Sequence, residues 1–308
     1  MGLIINLYKK NFLVRYDFDV AIPYYEAKDF KGLKEKEHTF INRHNNIIHY
    51  YEYFYSPLKF KKVILFLPGI GPGHRSYFRE INELALKGYK VISLDYEGTG
   101  YSKGKYLASI NQPTKDVIDL LNELKLKEEI VIVGHSLGAY TALNVINKMS
   151  SIKKAIIMSG ALNEKSLVKN FVKLSFIASR IQKYERKLSS DLGEINNLKF
   201  LKDTSKDILF IHSKDDPMVL YKLIIPKIKK LNNSHLSFIS LDNKRHNPNY
   251  TVEAVKYMDQ SINTYYALVN KKKLKTDEER IAYFQDKEIA KMTEQDPLII
   301  NKIINFIG

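Results

Sequence analysis

The spacing of apolar and polar positions changes period several times along this chain. From Thr39 to Tyr55, "TFINRHNNIIHYYEYFY" predicts two strands joined by an Asn-Asn turn. "KKVILFLPG", Lys61 to Gly69, is an unbroken apolar and β-branched run, the pattern of a strand buried on both faces. Similar runs recur in "KVISLDYEGTGYS", "EEIVIVGHS", "KKAIIMSGAL", "DILFIHSKDDP" and "HLSFISLDNKRHN". Helical spacing lies between them. "SYFREINELALKGY" stops at Gly88, "PTKDVIDLLNELKL" takes Thr114 as its cap, and "LGAYTALNVINKM" follows Ser136 directly. Strands and helices therefore alternate from Lys61 to Tyr257, which predicts an α/β fold with a mostly parallel sheet covered by helices on both faces. Sites in such sheets form beyond the carboxyl ends of the strands.

The alternation breaks twice. Between Ala161 and Lys206, "SLVKNFVKLSFIASRIQKYERKL" carries Leu167, Phe171, Leu174, Ile177 or Ala178, and Ile181 on an apolar stripe. It is inserted just after a strand exit and reads as a lid over the exits. The tail from Thr251 reads as helices, with "KKKLKTDEER" as a solvated charged turn. The expected organisation is an α/β core at 1–160, a helical lid at 161–205, returning core at 206–250, and C-terminal helices at 251–308.

Composition narrows the chemistry. The 308 residues are 44% hydrophobic and 27% charged, as in a globular protein. The absence of cysteine removes disulfides, thiolate nucleophiles and zinc-thiolate sites. The start does not read as a signal peptide, Asn6 breaks the myristoylation pattern, and no apolar run is long enough to span a bilayer. The expectation is a soluble, cytoplasmic protein. The net charge of +15 accompanies an excess of Lys, Asn and Ile and reads as compositional. No nucleic-acid-binding signature supports a nucleic-acid partner. A weak contact with an anionic membrane surface stays open.

"VGHSLGAY" supplies the chemistry. Gly134, Ser136 and Gly138 have the Gly-x-Ser-x-Gly spacing of a strained strand-to-helix turn that exposes a serine at a helix N-terminus. A serine nucleophile needs a base, and the base needs an orienting acid. Of the eight histidines, His246 suits best, in the polar loop "DNKRHNPN" after the last buried strand. His212 lies inside a strand and reads as a core residue, and the His135 side chain should diverge from that of Ser136. His74 could line the site but reads more simply as structural. "HSKDDPMV" offers Asp216 as the acid, with Asp215 in reserve. Two oxyanion donors are expected, the backbone N–H groups of Leu137 and of Ile70 in "PGIGPGHRS".

These segments resemble the α/β-hydrolase superfamily, particularly its serine aminopeptidase-like, lysophospholipase and monoacylglycerol lipase branch. "FLPGIGPGHRSYF", "VISLDYEGTGYSKG", "VGHSLGAY", "HSKDDPMV" and "KRHN" match in place and order. The resemblance implies Ser136 as nucleophile, Asp216 as acid, His246 as base and a structural role for Asp95. It departs where Pro68-Gly69 replaces the common His-Gly, and the tail before the closing helix "DPLIINKIINFI" is longer than the family pattern. The expected function is hydrolysis of a carboxylic ester, of lysophospholipid or monoacylglycerol type, through an acyl-enzyme and without metal or organic cofactor. The alternatives are an aminopeptidase holding an α-ammonium with Glu164, Glu185 or Glu194, and a non-catalytic ligand-binding protein of the same fold. An epoxide hydrolase or dehalogenase would place Asp at the elbow, where this chain has Ser136. Acyl and alcohol specificity and oligomeric state are not encoded in these motifs.

Overall fold

The computed structural model describes residues 2–56, 60, 62–172 and 174–308. Its strands are β1 (Lys34–Ile41), β2 (Ile47–Phe54), β3 (Val63–Leu67), β4 (Lys90–Leu94), β5 (Ile130–His135), β6 (Lys154–Met158), β7 (Asp207–Ser213) and β8 (Leu236–Leu241). They form one sheet in the order β1-β2-β4-β3-β5-β6-β7-β8. β1, β2 and β4 pair antiparallel, and every pair from β4 across to β8 is parallel. The fold class is the expected α/β, a mostly parallel sheet between helices.

The continuous apolar runs are explained by burial on both faces. All five residues of β3 are buried. Leu65 and Leu67 join one core cluster while Ile64 and Phe66 join the other, as the two-residue period requires. The first cluster is covered by helices Gln112–Leu124 and Leu137–Lys148. The second is closed by helix Phe78–Leu86 and by the last helix, Pro297–Ile307, which contributes Ile299, Ile300, Ile303 and Ile307. The end of the chain is therefore built into the main core.

Several boundaries differ from expectation. Lys61, the expected start of the first parallel strand, lies outside the described residues, and β3 begins at Val63. Thr114 does not cap its helix. The N-cap is Asn111, and Pro113 sits in the first turn, where its missing N–H costs nothing. "KKKLKTDEER" is not wholly a turn: Thr276 and Glu279 form a reciprocal capping box that starts helix Asp277–Gln285. This helix packs Phe284 with Tyr265 of helix Val252–Asn270, and with Ala21, in a small separate cluster.

The stretch after β6 forms two helices, Glu164–Val172 and Ser175–Leu188, with Lys173 between them outside the described residues. Leu167, Ala178 and Ile181 of the expected stripe are buried in the main core, while Phe171 and Leu174 are exposed. The sequence reading assigned no element to the first residues. They form helix Gly2–Phe12, which lays Tyr8 into the same core, beside the second of these helices.

Candidate active site

Ser136 stands between β5 and helix Leu137–Lys148 with φ 56° and ψ −116°. A non-glycine residue in this region costs of order 1–3 kcal/mol and persists only where its surroundings enforce it. Here its N–H donates to the Met158 carbonyl at 2.9 Å, and its carbonyl accepts from the Tyr140 N–H at 3.0 Å. The flanking glycines are required by close approach. A Cβ on Gly138 would overlap the Leu67 carbonyl at the end of β3, and one on Gly134 would overlap the backbone of Gly138.

The Asp216 carboxylate is buried and lies between two histidines. His246 Nδ1 is 3.0 Å from each of its oxygens, and His212 Nε2 is 3.1 Å from Oδ2. The N–H groups of Met218 and Val219 also donate to it. Burial pushes this acid up, but the hydrogen bonds from His212 and His246 outweigh burial and hold it well below the ordinary carboxylate range. Asp215, the reserve candidate, is exposed and accepts from Ser213 Oγ and the Arg245 N–H instead. The geometry thus pairs Asp216, not Asp215, with His246.

A hydrogen-bonded chain joins the His246 loop to the elbow and to the glycine loop. His135 Nε2 is 2.7 Å from the backbone carbonyl of His246, so it carries the proton. His135 Nδ1 is then an acceptor and takes the Tyr77 hydroxyl at 2.9 Å. The same hydroxyl accepts from the Gly69 N–H at 3.0 Å. Burial pushes the His135 imidazole down to about 3, and the neighbouring His246 adds to the shift, so His135 is neutral and its tautomer is fixed by these partners.

Ser136, Leu137 and Ile70 border one small apolar space, together with Met218 and with Leu167 and Phe171 of the helix Glu164–Val172. Among the described residues, none of those lining it is acidic or basic. Leu137 is the first residue of its helix, where N–H groups lack intrahelical acceptors. Ile70 is 40% exposed, in the loop that Tyr77 holds through Gly69. Asp95 lies apart from this space. It accepts from the His74 N–H, lies 2.8 Å from His74 Nδ1, and accepts from the Tyr101 N–H. His74 is buried and stacked on Tyr51.

The family model described as serine aminopeptidase, S33, matches residues 59–207, which span the glycine loop and the elbow. Over this stretch, just under half of its length, the chain resembles the α/β-hydrolases. It is 26% identical over 112 residues to "Putative methylesterase 12, chloroplastic" of Arabidopsis thaliana, covering 35% of this chain and 32% of that protein. It is 37% identical over 84 residues to an epoxide hydrolase of Caballeronia sordidicola, covering 26% and 25%. These alignments span about a quarter to a third of either relative. An esterase structure from Pyrococcus furiosus superposes with a TM-score of 0.59 at 19% identity, over 84% of this chain and 96% of that one, a likeness of fold.

Two residues of this candidate site were not singled out by the sequence as site residues. His212, inside β7, meets the Val219 carbonyl with Nε2 at 2.7 Å and brings the same nitrogen to 3.1 Å from Asp216, and Tyr77 bridges Gly69 and His135. The Asp216 spacing four residues after His212 was visible, but it acquires meaning only once β7 ends between them.

Proposed function

We propose that the protein is a serine hydrolase that cleaves carboxylic esters with acyl groups of lipid type, as in lysophospholipids or monoacylglycerols. The observation that carries this reading is the pairing of buried Asp216 with part-exposed His246, tied through His135 to the elbow that presents Ser136 to an apolar space. His246 takes the Ser136 hydroxyl proton as Oγ bonds to the ester carbonyl carbon. The N–H groups of Leu137 and Ile70 receive the developing oxyanion. His246 then gives the proton to the leaving alcohol as the carbon–oxygen bond breaks. Water, deprotonated by the same imidazole, releases the acid and regenerates Ser136. Segment 161–205 acts as the lid of a core at 1–160 and 206–250, and helices at 251–308 brace that core.

The carboxylates that would suit an aminopeptidase do not line the space at Ser136. Glu185 is fully buried and accepts from Tyr8, Ser109 and the Ile110 N–H. Glu164 and Glu194 border a different cavity, where Glu164 pairs with Arg186. A weak contact with anionic membrane surfaces fits lipid substrates and the positive net charge. Among the described residues no helix is long and apolar enough to cross a membrane.

Labelling with a fluorophosphonate probe tests the reading, together with turnover of p-nitrophenyl esters. Wild type should label and hydrolyse, and Ser136→Ala should do neither while keeping its fold. A folded wild type that does not label would move the non-catalytic ligand-binding reading to the front.

A further inference from the structure

The enclosed space at Ser136 is small, about 40 Å³. That leaves room for a few water-sized groups and not for an extended acyl chain. Beside it lies an open groove of about 410 Å³ between helix Gly2–Phe12 and the two lid helices. Leu7, Tyr8 and Phe12 form one wall, and Phe171, Ile177 and Ile181 the other. Phe12 and Phe171 border both spaces, and their rings meet edge to face at 5.0 Å. The Phe12–Phe171 ring pair therefore lies at the border shared by the nucleophile's pocket and the groove.

The groove's chemistry restricts what fills it. Its two polar side chains each donate within the protein: the Tyr8 hydroxyl donates to Glu185 at 2.8 Å, and the Asn11 amide donates to the Leu7 carbonyl at 2.7 Å. The rest of the lining is apolar, and Asn11, which keeps one N–H and its amide oxygen, is the one polar side chain left with hydrogen-bonding capacity among the described lining residues. Leu7 is 62% exposed, so an apolar wall faces water. Phe171 is 46% exposed and is held by packing against Phe12, so its rotation needs no backbone movement.

We propose that Phe12 and Phe171 form a gate and that the groove receives the distal methylenes of the substrate's acyl chain. The acyl group enters at Ser136, parts the two rings and continues along the N-terminal helix. This inference rests on the reading of Ser136 as the nucleophile and narrows it to esters of medium- and long-chain fatty acids. The N-terminal helix is then a wall of the binding site, and Phe12, Phe171 and Leu7 determine chain-length specificity.

The test is the ratio of kcat/KM for p-nitrophenyl decanoate to that for p-nitrophenyl acetate, at monomeric substrate concentrations. Wild type, Phe171→Ala, Leu7→Glu and Ser136→Ala are compared as full chains. Each methylene withdrawn from water is worth roughly a factor of four, so Leu7→Glu should lower the ratio about tenfold or more. Phe171→Ala, which widens the gate, should raise it. Both side chains are largely exposed, so folding survives. Ratios within twofold of wild type in both variants overturn the gate and groove. So does a concentration-dependent dimer that Leu7→Glu abolishes without moving the ratio, because the groove would then hold a second copy. Acetate hydrolysis that persists in Ser136→Ala overturns the nucleophile assignment itself, a distinct result.

Discussion

Below the candidate nucleophile the backbone does the positioning; above it, side chains do. The floor consists of β5, the Ser136 turn and the start of helix Leu137–Lys148, where two glycines admit carbonyl groups at distances no side chain would tolerate. The roof consists of the proposed lid, helices Glu164–Val172 and Ser175–Leu188, and the N-terminal helix, joined by Glu185 and by aromatic and aliphatic contacts. Glu185 touches three segments at once: Tyr8 of the first helix, the Ser109–Ile110 loop and its own lid helix. Asn170 adds a further tie by donating to the Pro217 carbonyl beside Asp216. A floor fixed by backbone geometry gives one arrangement for bond making. A roof fixed by replaceable side chains can differ in depth and permeability without disturbing it.

The largest effects should come from the floor's chemistry. Ser136→Ala should lower kcat for ester hydrolysis about 10⁴-fold or more with an unchanged unfolding curve. Asp216→Asn should cost about 10³–10⁴-fold, because His246 then loses the carboxylate that orients it. Equal activity in either variant would remove that residue from the mechanism. Next is the floor's geometry. Gly138→Ala places a methyl group against the Leu67 carbonyl and should destabilise the fold by about 3 kcal/mol, read from urea unfolding.

The roof should respond to pH instead. Burial pushes the Glu185 carboxyl up to about 7, against the opposing donors Ser109, Tyr8 and Ile110, and Glu164 nearby pushes it further. A carboxyl raised in the folded state binds its proton more tightly there than in the unfolded chain. Its contribution is fully present below the unfolded value and is lost as pH rises through about 7. Wild type should therefore lose roughly 3 kcal/mol more stability than Glu185→Gln as pH rises through that window. Parallel stability curves for the two proteins would rule out a protonated Glu185. The smallest effect is expected where floor and His246 loop are joined. Tyr77→Phe removes a hydroxyl that serves both Gly69 and His135, and should lower kcat/KM about tenfold with about 1 kcal/mol of stability. An effect on stability alone would make Tyr77 purely structural.

This division also explains what could be read from the chain. The elbow was legible because strain and close approach demand glycine at fixed offsets from Ser136. The sheet was legible because two-sided burial leaves unbroken apolar runs. Asp216 and His246 were read from their strand exits, with Asp216 preferred over Asp215 by the Asp-x-x-Val spacing to Val219, and in the structure Asp216 is the buried one and lies at His246. Glu185 looked like a candidate for binding a substrate ammonium. Its actual partners include Tyr8, 177 residues away in sequence, a separation no local pattern encodes. His212 read as a core residue, which it is by burial, yet its Nε2 meets the Val219 carbonyl and lies 3.1 Å from Asp216. Thr114 looked like a cap because it follows a proline, but Asn111 lies at the turn where the backbone enters the helix.

By itself the sequence determined the order of strands and helices, the strained turn at Ser136 and the residue types at each strand exit. These follow from local periodicity, from glycine's lack of a Cβ and from the need to bury apolar runs. Tertiary structure alone decided how His135 and Tyr77 join the glycine loop to the His246 loop, and that the first helix packs beside the helices that follow β6. Those outcomes depend on which side chains meet across the fold, and such meetings are set by packing of the whole molecule.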